Sequence, residues 1–246
     1  MNNFIYKNKS SLLRIKRKFN SILKIEIIKY PTPELDRRCK LLMHYQIDVV
    51  LDVGANIGQF GSELRNIGYM GKIISFEPTS DAFEKLKKNA KGDNLWQIHN
   101  YSLGEFDGDT TINISRNSVS SSILKNLPQL TESAPDAIFV GTEKIIVKKL
   151  DTIFDELQLD GKNIFLKIDT QGYEDMVITG ANESLEKIVG LQVEMSLTPT
   201  YENSVSFHDL SQKLINKGFK ILSIESGYYD KSTGTLLEVD GVFYKN

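Results

Sequence analysis

The segment Val49–Phe60, VVLDVGANIGQF, sets the tightest limit on how this chain can fold. Apolar, β-branched residues run up to an acid, Asp52. Two glycines four apart, Gly54 and Gly58, make a turn, and a helical pattern begins at once. A buried strand that passes straight into a helix is the first half of a crossover, and crossovers build parallel sheets covered by helices on both faces. The alternation continues along the chain. Strands are expected over 48–53, 72–76, 96–101, 163–168 and 190–194, and helices over 59–67, 81–89, 173–180 and 207–217. Runs at 110–114 and 144–148 read as edge strands. Two strand-like runs, 219–226 and 234–244, close the chain with turn residues between them, which predicts an antiparallel terminal hairpin. The expected class is α/β, with a mostly parallel sheet and right-handed connections.

Pro31 and Pro33 break the pattern before a short helix from Glu34 to Tyr45. The expected organisation is an N-terminal extension, 1–30, and one domain, 31–246. Within the domain, Ser115–Gly141 is rich in Ser, Asn and Pro and too long for an ordinary connection, so it reads as an inserted substrate or lid loop, 115–141. The net charge of −2 over 246 residues gives no basic field, so nucleic acid is not an expected partner. A single cysteine, Cys39, excludes an intramolecular disulfide and a cysteine zinc site. No apolar run approaches the roughly 20 residues that span a bilayer. Residues 1–30 lack the apolar core of a secretory signal, and the expected compartment is the cytoplasm.

The charge is uneven. Residues 1–29 hold Lys7, Lys9, Arg14, Lys16, Arg17, Lys18, Lys24 and Lys29 against Glu26 alone, a net of +7 that leaves −9 on the remainder. Leu12, Ile15, Phe19 and Ile22 recur among them at helical spacing. This is a basic amphipathic helix with two open readings. Its stripe packs on the domain, the ordinary fate of such stripes, or residues 1–29 make a peripheral membrane contact.

The glycines of the first turn follow G-x-x-x-G rather than the G-x-G-x-x-G of dinucleotide binders. Asn56 stands near where the glycine that admits a pyrophosphate is needed. Asp52 would repel phosphates and welcome a cation. Glu77 ends the next strand, in IISFEP, and an acid there is suited to ribose hydroxyls. The pattern describes a nucleoside with a cationic, phosphate-free tail, and S-adenosylmethionine fits it. The plain alternative is an α/β domain with turn glycines and solvated acids.

LDVGANIGQF, SFEP, LKIDTQGYE at Leu166–Glu174 and VDGVFY at Val239–Tyr244 together resemble the FkbM-type S-adenosylmethionine-dependent methyltransferases. The resemblance covers nearly all of residues 35–246, and the basic extension and serine-rich insert less. It implies a class I, Rossmann-like methyltransferase fold with a seven-stranded, mostly parallel sheet. It also implies methyl transfer to oxygen, often on sugars or glycan-linked groups, in polysaccharide or natural-product biosynthesis. Carried over by residue, Asp52, Gly54 and Gly58, with Asn56 between them, match the first cofactor motif, Asp52 facing the amino-acid end. Glu77, followed by Pro78, matches the ribose-binding acid. Ser102 and Leu103 lie where the third strand ends near the adenine.

Methyl transfer is an in-line displacement in which alignment does much of the work, but a sugar hydroxyl needs a base or a metal to remove its proton. The catalytic candidates are Asp169, Glu194 and His208. Asp169 and Glu194 at neighbouring strand ends are also candidates for a divalent cation such as Mg²⁺, although two carboxylates do not fill six positions. Tyr173, Glu174 and Asp240 lie close by in the pattern. Each has a structural alternative. Asp169 with Gly172 makes a turn and cap, Glu174 meets a helix dipole, Glu194 is a solvated acid, His208 is a surface or capping residue, and Asp240 satisfies the hairpin. Ser118, Ser120, Ser121 and Ser122 bind a polar substrate or form a plain loop. The leading function is O-methylation of a sugar or glycan hydroxyl. The alternatives are N- or C-methylation of a small metabolite, a nicotinamide-dependent oxidoreductase, and a non-catalytic cofactor-binding protein.

Overall fold

The computed structural model describes residues 14–24 and 29–245. The chain divides into two units, Met1–Arg38 and Cys39–Asn246. In the first, residues 14–23 form a helix, α1. Leu12, Lys7, Lys9 and Glu26 of the basic segment lie outside the described residues. Helix α2, Pro33–His44, runs across the division.

The second unit begins with β1 (Val49–Val53), α3 (Gln59–Asn66), β2 (Lys72–Phe76), α4 (Ser80–Asn89) and β3 (Trp96–His99). A short β4 (Ser102–Leu103), β5 (Gly108–Ser115), α5 (Pro128–Ser133) and β6 (Phe139–Lys148) follow. Then come α6 (Leu150–Ile153), β7 (Ile164–Ile168), α7 (Glu174–Gly180), β8 (Ile188–Ser196), α8 (Phe207–Asn216), β9 (Lys220–Ser226) and β10 (Glu238–Tyr244). Seven strands form one sheet in the order β3-β2-β1-β7-β8-β10-β9. Its pairs are parallel except that β10 runs antiparallel to both β8 and β9.

The strand periodicity explains the two layers. Val49, Leu51 and Val53 enter one core with Leu166, Val193, Ile178 and Leu214. Val50 points the other way, into a core with Ile73, Phe165, Leu64, Leu86 and Trp96. Every residue of β1 and β7 is buried. That is why their sequences are apolar rather than half-polar, apart from Asp52 and Lys167, which pair with each other. The chain runs from β1 outward through β2 and β3, then returns to lay β7 on the other flank of β1. The carboxyl ends of β1 and β7 therefore bound the switch point, where ligands of open α/β sheets bind.

Three expectations are corrected. The runs at 110–114 and 144–148 are not edges of the main sheet. They belong to β5 and β6, which form a separate three-stranded sheet in the order β4-β6-β5. This sheet buries its own small core of Ile112, Ile145 and Val147, so it has no need of the main sheet's edge. The third strand stops at His99, short of Tyr101. The expected antiparallel terminal hairpin is present, with the last strand, β10, inside and the mostly exposed β9 at the edge. The segment 115–141 holds more than loop: it contains α5 and a 3₁₀ turn, Pro135–Ala137.

Candidate active site

The first turn is held in left-handed backbone at Gly54 (φ +73), Asn56 (φ +47) and Gly58 (φ +89). A Cβ on Gly54 would lie 1.8 Å from the Asp169 carbonyl oxygen, so the turn and the end of β7 approach too closely for any side chain. Asn56 reaches this conformation with local help. Its Oδ1 accepts from the Ile57 N–H at 2.8 Å, and its own N–H donates to Glu77 Oε2 at 2.9 Å. Glu77 is buried, and its Oε1 accepts from both the N–H (2.8 Å) and hydroxyl (2.6 Å) of Thr79. Burial raises the Glu77 carboxyl above its ordinary value, against the pull of these bonds. The carbonyls of Glu77 and Pro78 accept from Asn100 Nδ2 at 3.0 and 3.1 Å.

The cation that Asp52 meets is the chain's own. Asp52 is 0% exposed, and the Lys167 ammonium lies 3.2 Å from its Oδ1. Ser75 donates to Asp52 Oδ2 at 3.2 Å and accepts from the Trp96 indole N–H at 3.0 Å. Lys167 also donates to the Gly54 carbonyl at 3.1 Å and stands 3.5 Å from Asp169 Oδ2. Burial alone would depress the Lys167 ammonium. The charges of Asp52 and Asp169 outweigh it and hold the group above the usual lysine range. Asp52 thus lies behind the turn, tied to β7, rather than on its open side. Ser102 and Leu103 are both buried in β4. Ser102 donates to the Leu103 carbonyl at 3.1 Å, and the Leu103 side chain belongs to the core.

Asp169 and Glu194 are brought together by Gln171. One amide nitrogen, Nε2, donates to Asp169 Oδ1 at 2.9 Å and to Glu194 Oε2 at 2.8 Å. The amide oxygen accepts from the buried Tyr201 hydroxyl at 2.8 Å. Burial first, then the neighbouring Asp169, raises the Glu194 carboxyl well above its ordinary value. The Asp169 side chain is 37% exposed and remains open on one side. Glu174 is turned inward. Its Oε1 accepts from the Thr170 N–H (2.8 Å), the Thr170 hydroxyl (3.2 Å) and the Gly172 N–H (3.1 Å). Burial pushes this carboxyl up to about 7. Tyr173 is buried against the core. Asp240 sits opposite Glu194 in the β8–β10 ladder, and burial raises it as well. His208 stands apart, exposed in the first turn of α8, where Ser206 supplies the cap.

The serine run is anchored to both halves. The Ser118 carbonyl accepts from Asn56 Nδ2 at 3.3 Å, and the Ser122 hydroxyl donates to the Gln171 carbonyl at 2.7 Å. The Ser120 carbonyl accepts from the Tyr201 hydroxyl at 3.4 Å, and Ser121 Oγ accepts from the Ser115 N–H at 3.1 Å. One side of the site is therefore the left-handed first turn with the buried Glu77 carboxyl. The other is an open carboxylate in a shared hydrogen-bond network, and the serine run links the two.

The model of the methyltransferase FkbM domain matches residues 52–221, more than half of the chain. The chain belongs to this family. None of the curated proteins matches the sequence significantly. Among solved structures, the FkbM methyltransferase is similar to an uncharacterized Listeria monocytogenes protein, with 9% identity and a TM-score of 0.49 over 87% of this chain and 68% of that one. It is similar to Haemophilus influenzae TehB, with 11% identity and a TM-score of 0.46 over 89% and 65%. It is also similar to the methyltransferase domain of bacterial CtHen1, with 10% identity and a TM-score of 0.46 over 86% and 97%. Membership makes the chain an S-adenosylmethionine-dependent methyltransferase of class I architecture, and the strand order described above is that of an open, doubly wound sheet.

A divalent cation does not fit the FkbM methyltransferase as its side chains stand. The two acids expected to share one are joined by an N–H donor, and a cation of this kind takes oxygen ligands. Among the described residues, no group of three or more His, Cys, Asp or Glu side chains is placed to hold a metal. The sequence reading missed Lys167, Gln171, Tyr201 and Thr79. Lys167 left a signal, a cation inside an apolar strand, and such a residue needs a buried partner. Gln171 lies within the LKIDTQGYE signature. Tyr201 has no local signal.

Proposed function

We propose that this methyltransferase transfers the methyl group to a hydroxyl oxygen of a sugar or glycan precursor. The observation that supports this best is the open Asp169 carboxylate, beside the first turn and braced by Gln171. Oxygen acceptors need a base, and Asp169 is suited to take the hydroxyl proton as the bond forms. Hydroxyl-rich acceptors also match the polar rim offered by the serine run. S-adenosylmethionine, when bound, supplies the activated methyl group. Glu77 is suited to its ribose: Oε2 accepts the Asn56 N–H, and a carboxylate oxygen has a second lone pair for a ribose hydroxyl. Gly54, Asn56 and Gly58 shape the turn beside it. Asp52 acts through Lys167, fixing the turn against β7.

The test uses methyl-labelled S-adenosylmethionine with a panel of nucleotide sugars and simple glycosides. The expected result is label in a base-stable ether. Asp169→Asn should lower the rate by about 10² or more, the usual worth of a general base, while binding of S-adenosylhomocysteine is kept. Label on nitrogen or carbon, or full activity in Asp169→Asn, would replace this reading with N- or C-methylation of a small metabolite.

A further inference from the structure

We propose that α1 is a surface-seeking helix that lays this protein on membranes rich in anionic lipid. Ile15, Phe19, Ile22 and Leu23 fall at i, i+4, i+7 and i+8, on one face of α1. They are 55%, 55%, 68% and 53% exposed, an open apolar stripe rather than a buried one. Arg14, Lys16, Arg17, Lys18 and Lys24 flank it, and residues 14–24 contain no acid. Bulky apolar side chains next to clustered cations match the boundary between acyl chains and phosphate headgroups, where the stripe sinks and the cations stay with the phosphates. An anionic lipid surface answers both features at once. No described helix is long and apolar enough to cross a membrane, so the contact lies in the interfacial plane. The charge distribution gives it a direction. Residues 1–29 carry +7 and the remainder −9, so the same surface that attracts the extension repels the rest of the chain.

The full-length chain is to be co-sedimented with vesicles of phosphatidylcholine alone and of phosphatidylcholine mixed with phosphatidylglycerol. Binding is expected to the anionic vesicles, to be weakened by salt, and to be at least tenfold weaker on neutral ones. Phe19→Glu/Ile22→Glu should abolish it. Lys16→Gln/Arg17→Gln/Lys18→Gln should weaken it by about a hundredfold, as three surface cations are lost. Neither variant changes a buried side chain, and an unchanged thermal melt confirms folding. The proposal is overturned if wild type ignores anionic vesicles, or binds neutral ones equally. It is also overturned if Phe19→Glu/Ile22→Glu binds as before, or if sedimentation equilibrium shows a wild-type dimer that this variant dissolves, making the stripe a contact between copies.

Discussion

Lys167 ties the two halves of the sheet together at their ligand-facing ends. Its ammonium bonds the Gly54 carbonyl from β7 while neutralising Asp52 on β1. Removing one partner of a buried pair strands the other charge, a loss of roughly 3–5 kcal/mol. Lys167→Met is therefore expected to unfold at markedly lower urea than wild type, and Asp52→Asn/Lys167→Met to recover much of the difference. A single variant within about 1 kcal/mol of wild type would show that Asp52 finds another partner. Lys167 also marks the limit of reading residues from sequence. Asp52, Glu77 and Asp169 were legible because acids that end apolar strands are conspicuous. That Lys167 meets Asp52 depends on the β1–β7 register, Asp52 facing Lys167 across more than a hundred residues of chain, and periodicity carries no register. Gln171 was passed over because an amide does not announce chemistry. Its importance lies in the two acids and the tyrosine it joins.

The turn from Asp169 into α7 is organised from beneath by Glu174, which accepts from the backbone N–H on either side of left-handed Gln171 (φ +57) and from the Thr170 hydroxyl. Its burial makes the element sensitive to pH. The unfolded glutamate ionises near 4.5 while the folded one keeps its proton to about 7. Between those values the native state binds more protons, so stability falls as pH rises through the window. The Glu174 contribution is on the order of 3 kcal/mol across it. Glu194, raised in the same direction, adds to the slope. Thermal melts from pH 5 to 7.5 should show a falling midpoint. Glu174→Gln, which keeps an acceptor oxygen for the same N–H groups, should flatten the fall. An identical slope in the variant would assign the effect elsewhere. Elements were well read where both sides are buried, as at β1, β2 and β7. They were misread in β5 and β6, whose alternation reports one covered face but not which sheet supplies the cover.

At the scale of the whole molecule, the parallel order around β1 follows from strand–helix alternation and the handedness of crossovers. The place of β10 inside the terminal hairpin does not, because both arrangements of a hairpin obey the same local rules. One detail of this architecture gives the protein an optical handle. Trp96 is the only tryptophan in the chain. A Cβ on Gly61 would lie 2.2 Å from its ring, and one on Gly58 3.1 Å, so the indole fills the space those glycines leave at the start of α3. Its N–H reaches Asp52 through Ser75. All intrinsic tryptophan emission thus comes from one fluorophore lodged behind the first turn. Saturating S-adenosylhomocysteine is expected to change its intensity or wavelength, and Glu77→Ala to lose that response. Emission indifferent to the ligand, despite binding seen by calorimetry, would mean that the turn is already rigid before anything enters it.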